Sequence, residues 1–455
     1  MIQAFRRSPY DREIVRIALP ALGALAADPL VSLVDTAFIG RLGAVALAAV
    51  AIASAIYAAV FAVFNFLEYA LTPLIAQSIG AGERDEAGRF TVAALAISVA
   101  AGVIAAAGLI VFGEPLLRAF GAGPEVVESA TTYLRIRALG VPALLVILVG
   151  HGAFRGFQDT RTPLVVTLGL NAVNLILDPI LIFGLNWGVA GAAGATVIAQ
   201  WFGAAWFLTL FFWMRRTELA IGFGRPQRAA LGSLAGAGKA LILRNASLLA
   251  SLTAATVVAA RVGTAAVAAH QIAMQLWIFM ALVIDAFAIA GQAIVGKELG
   301  ADSPAVARAV SNRLLALGAS FGIILALVVS LVSPWLGSWF TSNAAVLAAF
   351  VSILPILIVM QPINGIVFVW DGIAIGAAAF SVLAWSTVAA AAAAIAFLLV
   401  VIPLGWGLVG VWTGIVVLML VRAITLWWWY GFRFAVPERD PSPSSPAESE
   451  SKPWR

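Results

Sequence analysis

Apolar runs of about 20 residues, separated by short polar segments, recur along the whole chain, and each is long enough to cross a bilayer as an α-helix. They predict twelve membrane-spanning helices, near residues 14–38, 45–78, 90–112, 128–150, 163–184, 190–213, 238–260, 266–296, 312–333, 345–370, 380–403 and 407–431. The second and eighth runs are the longest and indicate tilted helices or helices that extend beyond the bilayer. The pattern therefore predicts an all-α membrane protein.

The two halves of the chain repeat each other. GRLGAVALAA around Arg41 matches ARVGTAAVAA around Arg261, a shift of 261 − 41 = 220 residues. The same shift relates other turn-forming residues, namely Gly43 to Gly263, Gly80 to Gly300, Pro142 to Pro362 and Gly156 to Gly376. Six spans per half predict two six-helix lobes related by a pseudo-two-fold axis along the membrane normal, with a substrate cavity between them.

Polar segments divide the chain into four parts. We expect a first lobe over 1–213, a cytoplasmic inter-lobe loop over 214–237 and a second lobe over 238–433. The remaining residues, 434–455, are rich in proline, serine and charge, and this composition predicts a disordered cytoplasmic tail.

Composition and charge support a membrane protein with cytoplasmic termini. Hydrophobic residues make up 62% of the chain and charged residues 11%, against about 25% charged residues in soluble domains. The absence of cysteine excludes disulfides and thiol metal sites. Most Lys and Arg, including Arg6, Arg7, Arg12 and Arg16, lie on the side of the termini, which we therefore place inside a plasma (inner) membrane. On this assignment the outer side carries Arg41, Arg118, Arg135, Arg137 and Arg261, and two arginines, Arg244 and Arg422, lie within spans. Basic residues that lie mainly in the loops between spans do not indicate nucleic-acid binding.

The first span combines a proline with two carboxylates, Pro20, Asp28 and Asp35. A carboxylate in a membrane helix costs about 2.5–3.5 kcal/mol on insertion scales, so such a residue usually faces a cavity and has a function. A proline inside the helix removes a backbone donor and creates a point where the helix bends. Asp35 is therefore a candidate switch residue and Pro20 a candidate hinge, whereas the role of Asp28 stays open.

The fifth and sixth spans carry further oxygen donors. Asn174 and Asp178 are four residues apart and project from one face of a helix, and Thr196 follows a run of small residues that permits close helix contact. Together with Asp35 they form a constellation that is able to bind a proton or a sodium ion. A purely structural hydrogen-bond network is the alternative interpretation.

The second half does not repeat this constellation, because Asp35 and Asp178 correspond to Ala255 and a position near Leu398. It has its own intramembrane acids, Asp285 and Asp371, and Asp285 corresponds to Asn65, one turn before Glu68. Asp285, Asp371 and Glu68 either line the central cavity and attract cationic substrates or pair with an arginine as structural contacts.

Motifs of enzymes are missing from the sequence. There is no Walker A glycine loop, no Ser/His/Asp set and no cluster of metal ligands. We therefore expect no enzymatic activity and no cofactor. Uphill movement of a solute would then depend on a gradient of H+ or Na+.

Several strings resemble one known family. They are ALP with Pro20, VDTAFIGRLG around Asp35, FRGFQDTRTP from Phe154, N-x-x-x-D-P from Asn174, and GVAGAAGAT ending at Thr196. This combination resembles the multidrug and toxic compound extrusion (MATE) family, in its DinF-like branch, over all twelve spans.

The resemblance implies a V-shaped pair of six-helix bundles that exports organic cations and drugs in exchange for protons or sodium. It implies that Asp35 and Asp178 couple transport to the cation, with Asn174 and Thr196 as oxygen-donating companions that would also be the metal ligands under sodium coupling. It further implies that Pro20 is the hinge of the first helix and that Tyr133 lies near the same cavity. The seventh span lacks the glutamate of a second-lobe sodium site, so the resemblance does not extend to that site.

We expect an ion-coupled antiporter that works by alternating access, takes small-molecule substrates in a lipid bilayer and functions as a monomer. Two alternatives remain, a lipid-linked precursor flippase of the same superfamily and a passive channel. The few intramembrane arginines argue against the flippase, and acids concentrated in one lobe suit alternating access better than a pore.

Overall fold

The protein is seen in a computed structural model that describes residues 8–222 and 224–434. The predictions for Arg6 and Arg7 and for the tail after residue 434 lie outside these ranges. Phe434, the first residue of the predicted tail, is buried and accepts a hydrogen bond from Arg308 of the second lobe (3.0 Å). The packed part of the chain therefore extends at least to Phe434.

The described residues form α-helices joined by short turns, without a β-strand. The helices are α1 (Asp11–Gly40), α2 (Ala44–Phe64), α3 (Phe66–Gly80), α4 (Arg84–Ala119), α5 (Pro124–Ala138), α6 (Val141–Gly156), α7 (Arg161–Pro179), α8 (Gly188–Thr209), α9 (Arg228–Val262), α10 (Thr264–Gly300), α11 (Pro304–Leu336), α12 (Ala344–Val359), α13 (Gln361–Gly376), α14 (Phe380–Val401) and α15 (Gly407–Phe432). Helix α9 begins at Arg228, ten residues before the predicted start of the second lobe (238 − 228).

Ten helical segments are long and apolar enough to cross a membrane, and two bent pairs complete twelve spans. The pairs are α5 with α6, bent by 49°, and α12 with α13, bent by 54°. The bends lie just before Pro142 and Pro362, which are related by the repeat (362 − 142 = 220) and begin the second helix of each pair. The predicted class, an all-α protein of twelve spans in two six-helix lobes, is confirmed.

An even number of spans places the start of α1 and the end of α15 on one side of the membrane, here called the terminal face. The two lobes contact each other there around Gly80 and Gly300, which are also repeat-related. A Cβ on Gly80 would lie 1.9 Å from the Lys297 carbonyl oxygen, and a Cβ on Gly300 would lie 2.0 Å from the Gln77 carbonyl oxygen. Lys297 and Gln77 correspond as well (297 − 77 = 220), so the pseudo-two-fold axis passes through this contact.

Polar contacts join the lobes on the same face. Arg313 of α11 donates two hydrogen bonds to the carboxylate of Asp11 in α1, at 2.6 and 2.8 Å. The Gln77 side chain of α3 donates to the Gly376 carbonyl at the end of α13 (2.9 Å). In this conformation the two lobes are therefore closed against each other on the terminal face.

The inter-lobe loop is anchored to the first lobe by Arg215. This side chain contacts Asp159 at 2.6 Å and Glu218 at 2.5 Å. Partial burial alone would raise the pKa of Asp159, but the hydrogen bonds from Thr162 and Arg215 outweigh it and lower that pKa. Asp159 thus remains ionised and fixes the start of the loop beside α7.

Candidate functional site

The first lobe brings together the two carboxylates predicted from separate spans. Asp35 of α1 and Asp178 of α7 lie within hydrogen-bonding range of each other. Asp178 is 1% exposed, and within the part of the chain that is described no nitrogen or hydroxyl donor bonds to either of its carboxylate oxygens. Two carboxyl groups attract each other only when a proton or another cation lies between them, so this pair is a candidate cation-binding arrangement.

Asn174 and Thr196 differ in their contacts. Asn174 is buried one helical turn before Asp178, and its side-chain nitrogen has no partner among the residues described. The Thr196 hydroxyl donates back to the Ala192 carbonyl in its own helix (3.0 Å), which leaves its oxygen lone pairs available. The predicted close approach of the sixth span is present, because a Cβ on Gly191 would lie 2.7 Å from the backbone of Leu181.

Asp28 lies on the accessible side of α1, where its carboxylate contacts Asn171 of α7. Asn171 donates a hydrogen bond from its side-chain amide to the Asp28 carboxylate (2.9 Å). Asn171 lies two turns before Asp178 (178 − 171 = 7), so α7 contacts the two acids of α1 at two levels, through Asn171 at Asp28 and through Asp178 at Asp35. The role that the sequence left open for Asp28 is thus a contact between α1 and α7.

Three residues of this site were missed in the sequence: Arg137, Tyr57 and Gln200. The Arg137 guanidinium lies 4.1 Å from the centre of the Tyr57 ring, donates to Gln200 (3.1 Å) and is close enough to Asp35 to interact with its charge. Arg137 is 9% exposed and lies inside α5, within the lobe, rather than in an exposed outer loop. The spacing of residues in the sequence could have indicated two of them, because Arg137 follows Tyr133 by one helical turn and Gln200 follows Thr196 by one turn.

Tyr133 is buried in α5, close to Tyr57. It therefore belongs to the same group of polar side chains, which comprises Asp35, Tyr57, Tyr133, Arg137, Asn174, Asp178, Thr196 and Gln200 and which we call the first-lobe chamber.

Pro20 lies inside α1, which also contains Pro29. A proline at position 20 removes the amide that would bond to the Arg16 carbonyl. The neighbouring Ile17 carbonyl accepts a hydrogen bond from the hydroxyl of Thr160, a residue outside α1 (2.8 Å). A hydrogen bond from the loop that precedes α7 therefore stabilises the part of α1 that the proline weakens.

The second lobe contains a buried ion cluster. One oxygen of Asp371 in α13 accepts hydrogen bonds from Arg244 of α9 (2.6 Å) and from Arg422 of α15. Asp371 is 4% exposed and Arg422 1% exposed. Asp371 is thus paired with two arginines, and the sequence did not reveal this double pairing.

Asp285 and Glu68 differ in their partners. Glu68 of α3 forms a buried ion pair with Arg155 of α6. Asp285 of α10 forms no ion pair within the described chain and lines a cavity of about 330 Å³ between the lobes. This central cavity also contains side chains of the first lobe and of the ion cluster, including Phe61, Asn65, Tyr69, Arg244, Phe368 and Asp371.

The repeat-related positions of the first-lobe acids are apolar and packed. Ala255 is fully buried and Leu398 is 1% exposed. The two lobes therefore share a fold but not a chamber, and the paired acids occur in the first lobe.

Twelve spans in two repeated lobes, with ionisable groups inside the lobes and a cavity between them, define a polytopic membrane transporter. The MatE family model matches residues 20–180 and 240–406 of the chain. The chain belongs to the MATE family, whose members are multidrug and toxin efflux transporters.

Relatives and a solved structure agree with this assignment. Protein DETOXIFICATION 44, chloroplastic, of Arabidopsis thaliana is 35% identical over 92% of this chain and 82% of its own length. The DNA damage-inducible protein F of Escherichia coli is 30% identical over 91% of each chain. A crystal structure of MATE in the bent conformation has a TM-score of 0.88 at 24% identity and covers 95% of this chain and 97% of its own. The resemblance found in the sequence is confirmed.

Proposed function

We propose that this protein is a proton-coupled antiporter that exports organic cations and other toxic small molecules by alternating access. The observation that carries the proposal is the Asp35–Asp178 pair, in which half-buried Asp35 and buried Asp178 join α1 to α7 inside the first lobe. Binding of a cation between the two carboxyl groups stabilises the α1 position in which they meet. Release of the cation leaves two like charges that favour their separation, and substrate binding selects among these states through its different affinity for each.

Arg137 supports H+ over Na+ as the coupling ion. Its permanent charge lies near Asp35 and repels a sodium ion at the same place, whereas a proton adds no separate ion to the chamber. The Thr196 hydroxyl is already directed at Ala192, so it donates nothing to the pair.

The proposal includes a location and a membrane orientation. The terminal face is cytoplasmic, the protein lies in the cell (inner) membrane, and one chain transports without a cofactor. The closed contact at Gly80 and Gly300 then corresponds to a state whose cavity is shut toward the cytoplasm.

Proteoliposomes loaded with the fluorescent cation rhodamine 123 test this function. We expect release when the outside is made more acidic, and no acceleration when sodium is added outside at constant pH. Counterflow of unlabelled substrate distinguishes a carrier from a channel. Acceleration by sodium alone would overturn proton coupling, and release without counterflow would identify a passive channel.

The hinge is tested by Pro20→Ala. Alanine restores the helical amide and is favoured over proline by about 3 kcal/mol in a helix interior, so α1 becomes harder to bend. We expect a large loss of rhodamine 123 transport. Proton binding at the Asp35–Asp178 pair should be retained, and it is measured as the protons that purified protein releases when substrate is added. Pro29→Ala, in the same helix, is the matched control, and equal losses in both variants would contradict a specific hinge at Pro20.

A further inference from the structure

A groove opens on the bilayer-facing surface of the second lobe, where α14 and α15 reach the terminal face. Helix α14 begins at Phe380 on that face, and α15 ends there at Phe432. Between the first turns of α14 and the last turns of α15 lies a cavity of about 550 Å³. Four of its apolar lining residues are between 47% and 67% exposed, namely Trp385, Ile424, Trp427 and Trp428. The groove is therefore open toward the surrounding lipid.

The groove continues deeper into the membrane. A second cavity, of about 280 Å³, shares Ile424 and Trp427 with the first and extends along α15 to Leu420 and across to Trp370 of α13. Arg433 at the mouth and Leu420 are 433 − 420 = 13 residues apart, or about 20 Å along a helix. The hydrocarbon of one leaflet is about 15 Å thick, half of the bilayer core. The two cavities together therefore match the depth of a phospholipid from its headgroup into its acyl chains.

Polar groups are paired in the floor of the groove and available at its mouth. The Ser386 and Thr425 hydroxyls hydrogen-bond to each other (2.5 Å), and the Thr425 hydroxyl also lies 2.8 Å from the Val421 carbonyl oxygen. These hydroxyls need no partner from a ligand, so the floor accepts an apolar chain.

The mouth carries a positive charge. The Arg433 guanidinium lies 5.1 Å from the centre of the Trp428 ring, and it forms no ion pair within residues 8–222 and 224–434. No acidic residue of the described chain lines either cavity. Tryptophan rings favour the headgroup level of a bilayer, which is where Arg433 and its neighbours lie. The groove thus has a cationic mouth at headgroup level and an apolar interior at acyl-chain level.

We propose that this groove binds an anionic phospholipid from the leaflet on the terminal face. The headgroup phosphate accepts hydrogen bonds from Arg433, and one acyl chain lies against Ile424 and Trp427 toward Leu420. A guanidinium binds phosphate through charge-assisted hydrogen bonds. The acyl chain is equally apolar in the free bilayer, so it fixes the position of the lipid and the headgroup supplies the selectivity. This binding does not depend on the proposed transport function.

Two other occupants fit the groove less well. The sequence after Phe434 is rich in proline, serine and charged residues, and such groups lose hydration in an apolar groove without gaining partners. A second copy of the chain would have to displace lipid, and lipid tails already cover apolar helix surface as well as protein does.

Native mass spectrometry of the full chain tests the site. Dioleoyl phosphatidylglycerol and dioleoyl phosphatidylcholine carry the same acyl chains, but only the first has a net negative headgroup. Titration of each lipid into detergent-solubilised protein gives the dissociation constant of the first bound lipid. We expect phosphatidylglycerol to bind about tenfold more tightly than phosphatidylcholine, the effect of one charge-assisted contact with arginine.

Two variants assign the two ends of the groove. Arg433→Gln should abolish the preference for phosphatidylglycerol while phosphatidylcholine binds as before. Ile424→Trp fills the exposed middle of the groove and should weaken both lipids by a similar factor. Arg228→Gln removes an exposed arginine at the start of α9 on the same face, so it is the matched control and should change neither affinity.

Several outcomes would overturn the lipid site. One is equal affinity for the two lipids in the unmodified protein, and another is the same loss of preference in Arg228→Gln as in Arg433→Gln. Displacement of phosphatidylglycerol by glycerol phosphate would assign a site for free phosphate compounds instead. Lipid selectivity that appears only after removal of residues 435–455 would assign the groove to that segment, and dimers that Ile424→Trp dissociates would assign it to a second copy.

Discussion

Asp35→Asn is expected to lower export of rhodamine 123 driven by an imposed pH gradient by about 100-fold, at the upper end of usual coupling free energies. Asparagine has nearly the same shape as aspartate but does not exchange a proton at neutral pH. The variant therefore retains the packing between α1 and α7 and loses the group that meets Asp178. The measurement is the initial rate of release from proteoliposomes, at equal amounts of inserted protein.

Asp178→Asn should cause a similar loss, and the double variant should be little worse than either single one. Groups that act as one unit are non-additive, because the first substitution already removes the shared function. Asp28→Asn is the matched control, since Asp28 lies in the same helix but its carboxylate bonds to Asn171 and not to Asp178. Independent, multiplying losses for Asp35 and Asp178 would show that the two acids do not form one coupling site.

The second-lobe acids should behave differently. Asp371 is paired with two arginines and Asp285 lines the central cavity, so Asp371→Asn and Asp285→Asn should change substrate affinity while the number of protons exchanged per substrate is preserved. Loss of proton exchange in Asp371→Asn, with exchange intact in Asp178→Asn, would move the coupling site to the second lobe.

The spans and the acid pair were predictable because each depends on a strong one-dimensional constraint. Bilayer thickness fixes the length of an apolar run, and a carboxylate in such a run is rare enough to be a functional candidate by itself. The repeat was predictable because glycine and proline mark backbone positions, as the bends before Pro142 and Pro362 show. The bends themselves were not predicted, since each proline lies within what the sequence pattern indicates as a single span.

The pairing of the remaining charges was not predictable. Whether Arg137 faces water, lipid or Asp35 depends on the rotation of α5 about its axis, and its spacing from Tyr133 indicates only that the two residues share a face of that helix. The same applies to Asp371, whose two partners come from α9 and α15. Sequence identifies most of the charges that lie in the membrane, and helix packing decides which of them meet.

Gly80→Val is expected to abolish transport without altering the first-lobe chamber. Even the Cβ of the new side chain would lie 1.9 Å from the Lys297 carbonyl oxygen, which is backbone and does not move aside like a flexible side chain. The lobes must then separate on the terminal face, so states closed on that face become unfavourable and the transport cycle stops. Gly300→Val should have the same effect through Gln77, because the two contacts are related by the pseudo-two-fold axis.

Spin-label distances measure this separation directly. The chain contains no cysteine, so Asp85→Cys and Ala305→Cys introduce the only two labelling sites, both exposed and related by the repeat (305 − 85 = 220). We expect a longer label-to-label distance in Gly80→Val than in the labelled protein that retains Gly80. Substrate-induced proton release should be unchanged. Gly108→Val, where no atom lies within 4 Å of the new Cβ, is the control for adding a side chain to a membrane helix. An unchanged distance with normal transport in Gly80→Val would show that the lobes do not need this contact, and the alternating-access cycle would then require a different closure on the terminal face.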